Sequence, residues 1–197
     1  MYVVGHSYGA LTGLFLAVRH PKLLRALVLA EPPAVSLLKD ELSARSSESL
    51  GMYADIQQRM VAPMRRAFRA GDTSSGIGVF IDYVFNRAHA WDTMPLEARA
   101  ETWRDAHEWE VMMTTGTLFP RIEPAALKRI RLPVLLLSGS KSYPFLNVID
   151  EDLLRLIPGS RRIVYPDAGH QMWLQQPVQC RDDVEAFLRS LETAPAR

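Results

Sequence analysis

One cysteine, Cys180, stands among 197 residues, so no intramolecular disulfide can form, and one thiol with five scattered histidines offers no zinc framework. A reducing compartment suits such a chain. Neither sign of charge is in excess: 23 Lys and Arg oppose 22 Asp and Glu, a formal +1 with neutral His. That balance argues against nucleic acid or an anionic membrane as partner and favours a small molecule. No apolar run approaches the ~20 residues of a membrane span, and Met1-Tyr-Val-Val reaches Gly5 and His6 too soon for a secretory leader. A cytoplasmic location is the expectation. Repeats and low-complexity segments are also lacking. With 48% apolar and 23% charged residues, the chain suits one globular domain, or a core carrying one large insertion.

What is there reads as alternating strands and helices. Tyr2 to Val4 is β-branched or aromatic, and Leu11, Leu14, Phe15 and Val18 then recur at helical spacing before His20-Pro21. Arg25 to Ala30 is a short apolar run closed by Glu31-Pro32-Pro33, the pattern of a buried parallel strand. A βαβ unit is complete by residue 30. From Ala34 to Ile122 no comparable strand follows, and helices rich in Met and Trp are broken at Gly51, between Gly71 and Gly78, and near Pro95. Alternation resumes with strands at Leu132–Ser138 and Arg162–Tyr165, and with helices at Val148–Ile157 and Val178–Leu191. The tail Thr193–Arg197 is expected to fray.

The chemistry concentrates at Gly5-His6-Ser7-Tyr8-Gly9, a G-x-S-x-G pattern between a strand and an amphipathic helix. A serine on so tight a turn needs small flanking residues, and its hydroxyl stands at the positive end of the helix that follows. The Tyr8 backbone N–H is the expected oxyanion donor. A serine nucleophile needs a base, and His170 follows the last strand in Pro166-Asp-Ala-Gly-His170. Loops at the carboxyl ends of parallel strands gather on one side, which brings positions 7 and 170 within reach of each other. His6 reads as a packing or hydrogen-bonding residue beside the turn. His107 and Glu110 have metal-like spacing but no third ligand, so no metal or cofactor is expected.

From the serine turn to the C-terminal helix the chain resembles the α/β-hydrolase superfamily, in its lid-bearing, esterase-like branch. The resemblance implies an α/β fold with a mostly parallel sheet, whose fifth to eighth strands would be Tyr2–Val4, Arg25–Ala30, Leu132–Ser138 and Arg162–Tyr165. It implies a core formed by residues 1–33 and 123–197, with a helical cap at 34–122. It also implies that the chain corresponds to the C-terminal two-thirds of a hydrolase. The loop supplying a second oxyanion donor would then be missing, a loss of about 10²–10³ in rate, and the first strand would offer an edge for homo-oligomers.

The family often places its acid three residues beyond a Gly after the seventh strand, where this chain has Ser142. Other members take it from the end of the sixth strand, where Glu31 stands. Glu31 is thus the expected triad acid, with Asp150, Asp152 and Asp167 as alternatives. Ser7 in place of an elbow Asp disfavours dehalogenase and epoxide hydrolase chemistry. The expected activity is a serine hydrolase that cleaves a carboxylic ester or related acyl bond of a small, fairly apolar substrate. Met60, Met64, Phe80, Trp91 and Met113 in the cap would line an apolar pocket or form ordinary core. The alternative is a catalytically impaired ligand-binding module.

Overall fold

The structure is a computed structural model that describes residues 1–40 and 46–192; the tail expected to fray lies outside the described residues. Four strands form one parallel sheet in the order β1-β2-β3-β4: β1 (Tyr2–His6), β2 (Ala26–Ala30), β3 (Val134–Gly139) and β4 (Arg161–Tyr165). The two central strands are buried along their whole length. This is why they read as continuous apolar runs and not as alternating ones.

Helices cover both faces. On one, α1 (Tyr8–Arg19) crosses so near the sheet that a Cβ on Gly13 would lie 3.2 Å from Leu27 and 3.4 Å from Val3. α8 (Pro144–Leu156) shares that face through Asp150, which meets Ser138 of β3. On the other face, Ala26, Val28, Ala30, Leu135 and Leu137 pack with Tyr165 and with Cys180 and Phe187 of α10 (Pro177–Glu192). The register explains the sorting: Val28 pairs with Leu135 and Ala30 with Leu137, and paired residues share a face.

The chain divides into two compact units, Met1–Ser49 with Arg121–Arg197, and Leu50–Pro120. The division falls at 49/50 and 120/121, where the sequence suggested 33/34 and 122/123. Residues 34–38 belong to the first unit because Val35, Leu37 and Leu38 of the turn Val35–Lys39 are buried, and Ser36 Oγ accepts the Ile122 amide at 3.1 Å.

The second unit is helical. It contains most of α2 (Ser46–Asp55), a wider π-type turn (Ile56–Val61), α3 (Ala62–Arg69), α4 (Thr73–Val84), α5 (Leu96–Arg104) and α6 (Ala106–Thr114). Met60, Met64, Ile77, Trp91 and Met113 are buried. A Cβ on Gly76 would meet the Phe68 ring at 2.5 Å, so α3 and α4 touch through a residue without a side chain. Phe80 and Trp109 pack with ring centres 4.5 Å apart and planes tilted by 48°. Between the second unit and β3 runs the short α7 (Pro124–Leu127), and α9 (Met172–Gln175) precedes α10.

Candidate active site

Ser7, Glu31 and His170 each follow the carboxyl end of a strand. Ser7 comes directly after β1, Glu31 after β2, Ser140 to Ser142 after β3, and His170 five residues after β4. Hydrogen bonds stitch these ends together. The Ser7 amide donates to the Ala30 carbonyl at 2.8 Å, the Glu31 amide to Leu137 at 3.2 Å, and the Ser140 amide to Tyr165 at 3.0 Å.

Ser7 has φ 52° and ψ −122°, in the region that L-residues rarely occupy. The turn is possible because Gly5 carries no Cβ: one would lie 2.7 Å from the Ala10 nitrogen and from Gly9 backbone atoms. The Ser7 carbonyl accepts the amides of Ala10 and Leu11, which starts α1. The amides of Tyr8 and Gly9 precede any helical acceptor and point out of the helix start, where a partial positive charge accumulates.

Glu31 is fully buried and also has a positive φ of 47°. An unpaired carboxylate could not be held there. It has three donors: the Gly139 amide to Oε1 at 2.7 Å, the Ser142 hydroxyl to Oε2 at 2.6 Å, and His170 Nδ1 to Oε2 at 2.5 Å. Because the carboxylate can only accept, Nδ1 is the donor, and in the neutral imidazole Nε2 then carries the lone pair. The His170 side chain is 16% exposed, so the pair has one buried member and one at the surface of the site.

His6 holds the other side of His170. Its Nε2 donates to the His170 carbonyl at 2.8 Å, and the two rings lie 4.6 Å apart. Burial, and then the neighbouring His170, push the His6 imidazole below its ordinary value. Tyr143 meets the His170 ring edge-on at 5.7 Å. Its phenol is pushed up by burial and by the negative charge of Glu31.

Among the described residues no hydrogen bond joins Ser7 Oγ to the His170 ring; His6, next to Ser7 in the chain, is what touches His170. Glu31 and His170, 139 positions apart, are brought together. The alternative carboxylates point elsewhere. Asp150 accepts from Ser138 at 2.6 Å, Asp152 pairs with Arg155, and exposed Asp167 meets Lys141 at 2.7 Å. His107 Nδ1 lies 3.9 Å from a Glu110 carboxylate oxygen, both side chains exposed. No cluster of three or more metal-type ligands occurs among the described residues.

Sequence reasoning missed the Gly139 amide and the Ser142 hydroxyl as ligands of the acid. The cradle depends on Gly139 having no side chain, since a Cβ there would lie 2.4 Å from the Ala168 carbonyl: only glycine lets the β3–α8 loop pass so close to the loop bearing His170.

A model of the alpha/beta hydrolase family matches residues 2–183. A search of curated proteins found no match. Among solved structures, a thermophilic esterase from Thermogutta terrifontis is 22% identical with a TM-score of 0.64, covering 98% of this chain and 66% of its own. Proline iminopeptidase from Mycobacterium smegmatis is 20% identical with a TM-score of 0.59, covering 96% and 65%. Carboxylesterase CesB from Bacillus subtilis is 20% identical with a TM-score of 0.54, covering 95% and 59%. The chain thus spans under two thirds of the length of each of these three structures. At such identities the likeness is one of fold, and one fold hosts many chemistries. No helix among the described residues is long and apolar enough to cross a membrane.

Proposed function

Because the chain belongs to the alpha/beta hydrolase family, we propose that it is a serine hydrolase that cleaves a carboxylic ester, or a related acyl bond, of a small and fairly apolar substrate. The observation that carries this reading is the buried Glu31–His170 pair at the strand ends, next to a serine held at positive φ before a helix.

In this reading Ser7 Oγ attacks the acyl carbon while His170 Nε2 takes its proton. The tetrahedral oxyanion rests at the start of α1, where the Tyr8 amide donates to it. Collapse breaks the bond to the leaving group, which receives the proton from His170 and departs as alcohol or thiol. Water, deprotonated by His170, then cleaves the acyl-enzyme and restores Ser7. Glu31 holds Nδ1 and stabilises the imidazolium formed in each half-reaction. The missing Ser7–His170 hydrogen bond is compatible with this role, because such contacts tighten when substrate binds.

Intact-mass measurement after treatment with a fluorophosphonate tests the reading. The full chain gains one adduct and the Ser7→Ala variant gains none. Equal labelling of both proteins would overturn it.

A further inference from the structure

Ser142 lies at the position where the family resemblance leads one to expect an acid, and its absence of charge suggests a bystander. Its contacts say otherwise. Its hydroxyl donates to Oε2 of Glu31 at 2.6 Å, the same oxygen that accepts His170 Nδ1 at 2.5 Å. The other carboxylate oxygen takes the Gly139 amide, so one loop, Gly139–Tyr143, supplies two of the three donors. The same loop reaches the His170 side as well. The Lys141 amide donates to Ala168 at 2.8 Å, and the Tyr143 ring stands edge-on to His170.

We infer that Ser142 is a positioning residue: its hydroxyl fixes the rotamer of Glu31, and through Oε2 the plane of the His170 imidazole. This rests on the proposed role of the Glu31–His170 pair and deepens it.

The physical argument concerns what Glu31 can do without Ser142. Its backbone is at φ 47°, but the side chain beyond Cα has rotatable bonds, and two ligands leave it free to pivot about the line through Gly139 N and Oε1. A pivot moves Oε2 and carries the imidazole with it. A third donor closes the geometry. A hydroxyl serves better here than a second carboxylate, because like charges sharing a fully buried site repel. It also carries no charge of its own that would compete with Glu31 for His170.

The test uses the full chain with Ser142→Ala and Ser142→Thr. Two readouts are taken: the downfield proton resonance of His170 Nδ1–H, and the rate of labelling by a fluorophosphonate. In Ser142→Ala the resonance is expected to broaden or move, and labelling to slow about tenfold, the size of one hydrogen bond to a charged group. Ser142→Thr, which keeps the hydroxyl, restores both. Thermal unfolding of each variant separates positioning from unfolding, since a folded Ser142→Ala protein with an altered resonance is the expected case.

An unchanged resonance and rate in Ser142→Ala would overturn the inference and leave the hydrolase reading standing. Labelling that persists in Ser7→Ala would overturn the hydrolase reading, while the resonance would still report on Ser142. Failure of Ser142→Thr to rescue a folded protein would show that bulk, not the hydroxyl, matters at this position, and would also overturn the inference.

Discussion

The amide of Ser7 donates to the carbonyl of Ala30, the last residue of β2, at 2.8 Å, and the residue directly after it is Glu31. The serine turn and the buried carboxylate are therefore coupled through the first rung beyond the β1–β2 ladder. Backbone pairing, not side-chain contact, sets their separation. Substitutions that leave this rung intact can separate chemistry from folding.

Glu31→Gln is the sharpest of these. It keeps size and one carbonyl acceptor but removes the charge facing His170 Nδ1. Loss of the equivalent charge in a serine triad lowers kcat by about 10⁴. Turnover of a short 4-nitrophenyl ester should fall on that order with little change in KM. A kcat within threefold of the parent protein would remove Glu31 from the mechanism.

The two glycines of the turn should behave differently. At Gly5 a methyl group would sit 2.7 Å from backbone atoms of Gly9 and Ala10, which cannot move without displacing α1. At Gly9 nothing lies within 4 Å of the same methyl. Gly5→Ala is expected to lower stability by about 1–3 kcal/mol, the usual cost of overpacking, and to suppress fluorophosphonate labelling. Gly9→Ala should unfold at or above the parent temperature. Paired melting curves check this, and equal behaviour of the two variants would contradict it.

Asp150 gives a pH prediction. It is fully buried, its Oδ1 has no hydrogen-bond partner, and burial pushes its carboxyl up to about 8, against the opposing Ser138 hydroxyl and Arg162 charge. A carboxyl raised in the folded state binds a proton there that the unfolded chain has already released. Stability is therefore lost as pH rises from about 4 to about 8, with a slope approaching ~1.4 kcal/mol per pH unit for one proton. Asp150→Asn keeps an acceptor for Ser138 and should flatten that part of the profile. Urea unfolding at pH 5, 7 and 8.5 measures it; an unchanged slope would show that Asp150 does not titrate in this way.

The strands were legible because buried parallel strands are written as apolar runs, and Ala26–Ala30 and the Val134–Leu137 part of β3 are such runs. Their ends were less so. β3 was expected from Leu132, but Pro133 has no N–H to give to the ladder, so pairing starts at Val134 while the Pro133 carbonyl accepts from Leu27. α8 begins at Pro144, four residues before the expected Val148, because proline at the first helical position is a start signal that apolar spacing alone overlooks.

Within the candidate site, Ser7 was read from its G-x-S-x-G turn, His170 from its place after the last strand, and Glu31 through the family resemblance. Ser142 and the Gly139 amide could not be read, because hydroxyls and amides carry no charge pattern by which to recognise them. The burial of Asp150, named only as an alternative acid, was equally hidden. Among the polar residues of α8 Asp150 reads like its neighbour Glu151, and only the side of the helix that faces β3 distinguishes them.

The acid and its first donor are made far apart in time. Gly139 follows Glu31 by 108 residues, which at ribosomal speeds of about 5–20 residues per second is a wait of roughly 5–20 s. During that interval Glu31 has no amide to accept from and is best left in water. The nascent β2 therefore has reason to stay unburied until β3 and its loop emerge. The completion of the sheet and the completion of the carboxylate's cradle become a single late event in the making of the chain.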